Sequence, residues 1–395
     1  MSAPTPSQRY ADGIARGDWQ DDPAQRAVLP ELDRLHAALS QPLPRTGMLR
    51  RLLGGGSDAA AVPGLYLWGG VGRGKTFLID LFADGLPLEN LRTEGATGVP
   101  LPYAGEGTEA ATPDPRLGRK RRTHFHRFMR GVHEALREQE GERDPLAAIV
   151  RGWRARGLRV LVLDEFFVTD IGDAMLLARL LDRMFAEGIV LVTTSNIEPA
   201  GLYRDGLQRA RFLPAIALLE QHCHVREMVS DTDYRLRALT RSPVYRTPLD
   251  GEADAWLAAR WHALGGSDRH RDGGIVIDGR RIAVRGRDPG MAWFDFDAIC
   301  EGPRGASDYI EIAREFHTVL VGGVPVLEGS RDDATRRFVT LVDELYDRNV
   351  NLVCTAAAEP PLLYAGERLA MTFERTASRL IEMRSAEYLA REHRP

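Results

Sequence analysis

The chain has 395 residues, of which 44% are hydrophobic and 27% are charged, and its formal net charge is −4 at pH 7. This length accommodates two or three domains, no apolar run approaches the ~18 residues that a membrane-spanning helix needs, and three scattered cysteines give neither a disulfide framework nor a zinc spacing. Because the N-terminus carries no secretory signal and the net charge disfavours general affinity for nucleic acid, we expect a cytoplasmic globular protein.

The pattern of the chain predicts three domains. Residues 1–62 are predicted to form a polar, helical N-terminal arm with leucines at helical spacing. Residues 63–230 alternate short apolar runs with amphipathic segments, which predicts a parallel sheet with flanking helices. Within them, residues 86–118 are rich in Gly, Pro, Thr and Glu without periodicity, which predicts a mobile surface insertion. Residues 231–395 are predicted to form a C-terminal α/β domain with a small β-hairpin that turns at Asp278-Gly279.

A glycine-rich loop follows the first apolar strand, residues 64–68. The chain contains fifty arginines but two lysines, and Lys75 lies in this loop, where phosphate chemistry requires a compact ammonium. In a phosphate-binding loop the backbone N–H groups contact the α- and β-phosphates, the lysine reaches the β- and γ-phosphates, and the hydroxyl of Thr76 ligates Mg²⁺. A helix is predicted directly after the loop, as this placement requires. The predicted nucleotide-binding residues are Gly69, Gly70, Val71, Gly72, Arg73, Gly74, Lys75, Thr76 and Phe77.

Polar residues also follow two later strands. The most apolar predicted strand, residues 160–163, runs directly into Asp164 and Glu165. Such a strand holds the first carboxylate beside Mg²⁺, and the second carboxylate can polarise a water that attacks the γ-phosphate. The next strand ends at Asn196, whose amide would hydrogen-bond the γ-phosphate or the attacking water; a simple turn residue is the alternative. The predicted Mg²⁺ ligands are Thr76 and Asp164, and the predicted catalytic residues are Lys75, Glu165 and Asn196.

Hydrolysis also needs positive charge on the developing transition state. Arg211, with Arg209 as the second choice, follows the strand that ends at Asn196 and is predicted to enter a neighbouring subunit's site as an arginine finger. Arg379 could sense the phosphates, or it could belong to a salt-bridged helix face. The basic run of residues 116–122, which precedes a strand predicted at 123–128, could end a solvated loop or bind an anionic partner.

One stretch of the C-terminal domain resembles part of the ATPase core. Residues 342–364 match residues 181–203 at one constant offset, including a shared Leu-Val-x-Thr pattern. Upstream, an apolar run is followed by Gly322-Gly323, where the first copy has Asp164-Glu165. We hypothesise a degenerate second α/β unit that kept its packing residues and lost its polar site. Chance convergence of two helix–strand units is the alternative.

The order of these motifs resembles the AAA+ class of ATPases, and within it the ZapE family of bacterial division-associated ATPases, which has mitochondrial relatives. The resemblance covers residues 8–392, and its most specific blocks lie at 64–76, 124–129, 163–168, 194–196, 206–214, 233–237 and 378–383. It implies a Mg²⁺-dependent ATPase near the division ring or the inner face of the membrane, with the tubulin-like protein FtsZ as the described partner. It also implies that Gln25 reads the adenine edge, although a helix-surface glutamine is the alternative. The insertion at 86–118 is longer than this family pattern.

The sequence therefore predicts a P-loop NTPase of the AAA+ type that hydrolyses ATP with Mg²⁺ and remodels a protein partner. The arginine finger implies a homo-oligomer such as a hexameric ring. The expected partner is an FtsZ-like division protein, with no sequence-specific nucleic acid, and peripheral association with the membrane at the division site is compatible with this interpretation. The alternatives are a nucleotide-gated scaffold without essential turnover and a DNA-acting AAA+ loader. A small-molecule kinase fits the acidic pair less well than water attack does.

Overall fold

The computed structural model divides the chain into two compact units. The first unit covers the described residues up to 229, and the second covers those from 236 onwards. The structure describes residues 3–42, 62–70, 73–91, 115–139, 141–229, 236, 239–266, 274–277, 280–288 and 290–394. Outside these ranges lie most of the predicted insertion (92–114), Val71 and Gly72 of the phosphate loop, and the predicted turn at Asp278-Gly279. Within the described ranges, no helix combines the length and low charge that crossing a membrane requires.

The first unit is built on a six-stranded sheet in which every neighbouring pair is parallel. The strand order is β2-β3-β4-β5-β1-β6, which places β5 between the strand before the phosphate loop (β1) and the strand that ends in the acidic pair (β4). This arrangement confirms the parallel α/β fold expected from the sequence. The strands are β1 Gly64–Trp68, β2 Glu89–Asn90, β3 Arg119–His124, β4 Leu158–Asp164, β5 Val190–Ser195 and β6 Cys223–Glu227.

Helices cover both faces of this sheet because its central strands bury alternate side chains on opposite sides. Val160 and Val162 pack against α1, α2 and α3, whereas Leu161 and Leu163 pack against α4 to α7. The two helices of the predicted N-terminal arm, α1 and α2, thus share a core with the phosphate-loop helix α3. The helices are α1 Pro6–Arg16, α2 Pro23–Leu39, α3 Lys75–Gly85, α4 Phe125–Glu138, α5 Pro145–Ala155, α6 Ile171–Ala186 and α7 Leu213–His222.

The second unit has its own five-stranded sheet of order β10-β11-β12-β13-β7. All its pairs are parallel except β10 with β11. A separate antiparallel pair, β8 with β9, confirms the predicted hairpin. The strands are β7 Tyr245–Arg246, β8 Ile275–Ile277, β9 Arg280–Ile282, β10 Gly286–Asp288, β11 Met291–Asp295, β12 Thr318–Val324 and β13 Asn351–Ala356. The helices are α8 Ala253–Ala263, α9 Ala306–Glu315, α10 Asp332–Asp347, α11 Ala370–Glu382 and α12 Ala386–Leu389.

The basic run before residue 123 was misjudged from the sequence. Residues 119–124 form strand β3, and α4 begins at Phe125, where the sequence had predicted that a strand continued. Two cations of the run face inward and are hydrogen-bonded or ion-paired there. Lys120 donates to the carbonyl oxygens of Ala83 and Leu86 at the end of α3, and Arg122 pairs with carboxylates. Burial lowers the pKa of Lys120 to about 8. Neither residue ends a solvated loop.

Candidate active site

The phosphate loop joins β1 to α3 at the carboxyl end of the sheet. Gly69 and Gly74 adopt φ angles of 144° and 89°, which favour glycine, and Gly74 is the N-cap of α3. Lys75, the first residue of the helix, is 7% exposed. Its Nζ donates to the carbonyl oxygens of Gly69 at 2.6 Å and Gly70 at 2.7 Å. The lysine therefore lies over the loop whose N–H groups a phosphate would contact.

Asn196 lies directly beside this lysine. The residue follows β5, and its Oδ1 accepts a hydrogen bond from Lys75 Nζ at 3.0 Å. The position results from the strand order, since β5 pairs with β1 in parallel register. The structure therefore brings the predicted sensor and the phosphate-loop lysine into contact, although they are far apart in the sequence.

The acidic pair lies on the other side of β5. Asp164 is 4% exposed, and its Oδ1 has no hydrogen-bond partner among the described residues. Glu165 has a φ of 55°, and its backbone N–H donates to Thr194 Oγ1 at 3.1 Å. The left-handed conformation turns the chain sharply at the strand end, and Thr194 fixes this turn from the neighbouring strand. His124 Nδ1 lies 4.0 Å from Glu165 Oε2.

The site fits a Mg²⁺ ion of the kind that P-loop proteins use. A buried carboxylate oxygen without a partner is costly unless a cation or donor completes it, and Asp164 Oδ1 is such an oxygen. Thr76, in the first turn of α3, supplies a hydroxyl. Mg²⁺ typically takes one or two protein ligands and completes its shell with waters and phosphate oxygens. No cluster of three or more acidic, His or Cys side chains that could hold a metal occurs in the described residues.

Arg122 is a site residue that the sequence reasoning missed. Its Nε donates to Asp164 Oδ2 at 2.7 Å, and its Nη1 pairs with Asp80 on α3. The Arg122 side chain is 10% exposed and that of Asp164 is 5% exposed. One guanidinium thus joins the helix that carries Thr76 to the strand that carries Asp164. The local sequence contains no periodic signal for this role, because helices cover both faces of the sheet and burial along β3 does not alternate.

The N-terminal arm reaches the phosphate loop through Gln25. A Cβ built on Gly74 would lie 2.5 Å from Gln25 Nε2, and Gln25 is 7% exposed. Beside it, the rings of Trp19 and Phe77 meet edge-on with centroids 4.9 Å apart. Gln25 and Phe77, two of the predicted nucleotide-binding residues, therefore lie next to the loop. Their contact with a base stays a prediction.

The two candidate finger arginines differ in their surroundings. Arg209 donates to the carbonyl oxygens of Leu202 at 2.6 Å and Ala200 at 2.7 Å, so it braces its own turn. Arg211 is exposed, and its side chain makes no hydrogen bond or ion pair with the described residues. Phe212, next to it, is fully buried against Tyr203, which anchors the segment that presents Arg211.

Arg379 lies in the second unit, on α11. It donates to Asp343 at 2.6 Å, approaches Asp347 at 3.4 Å, and stacks over the Tyr346 ring at 4.6 Å. These contacts correspond to the salt-bridged helix face that was the alternative to phosphate sensing. The sensing role stays a prediction.

The strand order of the first unit, with a phosphate loop and an acidic pair on either side of β5, defines a P-loop ATPase of the AAA+ type. The model of the AFG1-like ATPase family matches residues 4–96 and 115–392. The chain belongs to this family.

Two curated relatives illustrate the range of the family. The cell division protein ZapE of Escherichia coli (strain K12) is 42% identical over 404 residues, covering 100% of this chain and 99% of the relative. Lactation elevated protein 1 homolog B of Danio rerio is 30% identical, covering 82% of this chain and 68% of the relative. These identities confirm the ZapE-type resemblance found in the sequence.

Two solved structures are similar at lower identity. A crystal structure of DnaI is 16% identical with a TM-score of 0.33, covering 54% of this chain and 87% of that chain. Domain III of the Thermotoga maritima replication initiation protein DnaA is 14% identical with a TM-score of 0.32, covering 61% of this chain and 78% of that chain.

Proposed function

We propose that this protein is a Mg²⁺-dependent ATP hydrolase whose cycle drives conformational work on a protein partner in bacterial cell division. The observation that carries the proposal is the convergence of three strand ends, where Lys75 contacts Asn196 and the Asp164-Glu165 pair follows the adjacent strand. ATP is the substrate of this reaction, and water is the nucleophile.

Each residue has a role that its surroundings support. Lys75 holds the β- and γ-phosphates, and Asn196 links the lysine to the γ-phosphate or to the attacking water. Glu165 polarises that water, and its backbone is fixed by Thr194. Mg²⁺, held by Thr76 and Asp164, would neutralise charge on the phosphate oxygens. Gln25 lies beside Gly74, where it can read the adenine edge.

Arg211 is proposed to act on a second copy of the chain. The side chain is exposed, whereas Arg209 is engaged by its own turn. Leu207 and Leu213, on either side of it, are 69% and 49% exposed. Exposed apolar side chains around an unpaired arginine suit burial against another subunit. ATP turnover then depends on assembly into a homo-oligomer such as a hexameric ring.

The partner and the place of action rest on the relatives. A relative at 42% identity is named a cell division protein, so we propose an FtsZ-like division protein as the partner and the division site near the inner membrane as the location. The net charge of −4 gives no general attraction to nucleic acid.

The proposal is tested by the ATPase rate as a function of protein concentration, with and without the division protein. The specific rate should rise with concentration as subunits assemble. Arg211→Ala should bind ATP normally and turn over slowly, and mixing it with Lys75→Ala protein should restore activity, because each variant supplies what the other lacks. Arg204→Ala, which removes another exposed arginine of the same segment, is the matched control and should behave as wild type. A concentration-independent rate and no rescue at any ratio would refute action in trans.

A further inference from the structure

The second unit repeats the topology of the first. Four neighbouring strands have the spatial order β3-β4-β5-β1 in the sheet of the first unit and β11-β12-β13-β7 in the sheet of the second. In both units the last of these four strands comes first along the chain and the other three follow in order, and all these pairs are parallel. Helices α6 and α10, each of 16 residues, make the equivalent connections. A 3-10 turn that begins with proline follows both β5 and β13.

The two units also share hydrogen bonds at matched positions. Tyr66 on β1 donates to the carbonyl oxygen of Ile197 at 2.8 Å, and Tyr245 on β7 donates to that of Ala358 at 2.6 Å. The two tyrosines have equivalent register positions, because Tyr66 pairs with Thr193 on β5 and Tyr245 pairs with Cys354 on β13. The bond ties the first strand of each unit to the turn after β5 or β13.

A second shared bond lies where the acidic pair would be. The N–H of Glu165 donates to Thr194 Oγ1 at 3.1 Å, and the N–H of Gly323 donates to Thr355 Oγ1 at 2.9 Å. Glu165 and Gly323 both have positive φ angles, 55° and 75°. A left-handed residue fixed by a threonine of the neighbouring strand is therefore common to both units. It directly follows β4 in the first unit and lies at a bulge near the end of β12 in the second.

The helix ends before β5 and β13 match as well. Gly188 and Asn349 have φ angles of 71° and 53°. Each donates its backbone N–H to the carbonyl oxygen of the residue three positions earlier, at 3.0 Å and 3.1 Å respectively. Chance convergence on one helix–strand pair explains neither these backbone details nor the shared order of four strands. A duplicated core explains both.

The units differ at the residues that would bind a nucleotide. Asp164 and Glu165 correspond to Gly322 and Gly323, from the register of β4 with β5 and of β12 with β13. Arg122 corresponds to Trp293. The ion pair beside the metal ligand is thus replaced by an indole beside a glycine.

The start of the helix after the first strand also differs in charge. Lys75 is the first residue of α3, nine residues after Tyr66, whereas Asp254, nine residues after Tyr245, is the second residue of α8. Arg285 holds this carboxylate with a hydrogen bond of 2.8 Å and lies 3.5 Å from Asp295 on β11. Burial raises the pKa of Asp295. A carboxylate at the start of the helix repels a phosphate, and its partner arginine is already engaged.

We propose that the second unit is a duplicated P-loop core that has exchanged its phosphate-binding residues for a solvent-accessible acid–arginine network, so that the chain binds one nucleotide, at Lys75. The second unit kept the hydrogen bonds that shape its sheet edge. This inference concerns the number of sites and is independent of whether the first unit hydrolyses what it binds.

Calorimetric titration of the full chain with a non-hydrolysable ATP analogue and Mg²⁺ tests the proposal. Wild type should bind one equivalent per chain, and Lys75→Ala, shown to be folded by circular dichroism, should bind none. Asp254→Ala should still bind one equivalent. Two equivalents for wild type, or one retained by Lys75→Ala, would overturn the proposal. The wild-type stoichiometry decides the question even where the lysine variant is poorly folded.

A matched pair of threonine variants gives a second readout. Thr194→Val and Thr355→Val each remove the same hydrogen bond, one in each unit. Both should lower the melting temperature, but Thr194→Val alone should lower kcat for ATP, by about tenfold or more. An equal fall in kcat for Thr355→Val, with ATP affinity also reduced, would show that the second unit handles nucleotide and would contradict the proposal.

Discussion

Arg122 gives the sharpest quantitative prediction, because its guanidinium joins the two elements of the proposed metal site. Replacing it with methionine keeps the aliphatic stem and removes the charge that lies between Asp80 and Asp164. Removing one partner of a buried ion pair typically costs 3–5 kcal/mol. The Asp80 side chain is 27% exposed, so we take the lower end, about 3 kcal/mol. In a unit of this size that corresponds to a fall in melting temperature of about 6–12 °C.

The assay is thermal unfolding followed by circular dichroism, with and without Mg²⁺ and ATP. Because Arg122→Met leaves two carboxylates facing each other, Mg²⁺ and ATP should stabilise the variant more than wild type. Arg121→Met is the matched control on the same strand. Arg121 faces the opposite side, over the Phe128 ring at 5.7 Å, and pairs with no carboxylate in the described part of the chain.

The control should lose no stability, because burial disfavours the charged form of Arg121 and lowers its pKa to about 10, so that removing the charge removes a penalty. Equal losses for the two variants would show that the effect comes from general packing. A melting temperature for Arg122→Met within a degree of wild type would show that the ion pairs stabilise nothing, and the reasoning would fail.

Three further predictions concern other residues of the first unit. The pKa of Lys120 is about 8 in the folded protein and 10.5 in the unfolded chain. The free energy of unfolding, measured with urea, should therefore rise by at most ~3 kcal/mol between pH 8 and 10.5, compared with the Lys120→Met variant. Parallel pH curves for the two proteins would contradict this. Asn196→Ala should lower kcat about 10²-fold with ATP affinity nearly unchanged, and normal turnover would exclude the sensor role. Arg209→Ala should lower the free energy of unfolding by ~2 kcal/mol, because its hydrogen bonds to carbonyl oxygens are lost, whereas Arg211→Ala should slow ATP turnover at normal stability. If unfolding and ATPase assays gave the reverse pattern, Arg209 would be the finger and Arg211 the structural residue.

The sequence allowed us to predict the positions of those candidate site residues that follow apolar strands. Lys75, Asp164 and Asn196 each follow a short buried run, and parallel strands bring such ends to one edge of the sheet. Strand order, and with it the contact of Lys75 with Asn196, came from the class of fold that the motifs resembled. Hydrophobic periodicity alone does not determine the order of the strands in the sheet.

The basic run before residue 123 could not be interpreted from its local sequence. Lys120 and Arg122 are buried because their partners, the end of α3 and the carboxylates of Asp80 and Asp164, come from distant parts of the chain. A charge cluster indicates solvent exposure unless such partners are known. Burial along β3 follows no alternating pattern, so periodicity could not identify these two cations as buried.

The account depends most on the γ-phosphate held at Lys75 facing Glu165. The direct measurement compares the ATP dissociation constant and the turnover rate of wild type and Glu165→Gln, which has the same shape without the charge. We predict dissociation constants within about threefold of each other and a turnover rate reduced by about 10²–10⁴-fold in the variant. Near-normal turnover by Glu165→Gln, or no binding of ATP by either protein, would contradict the account.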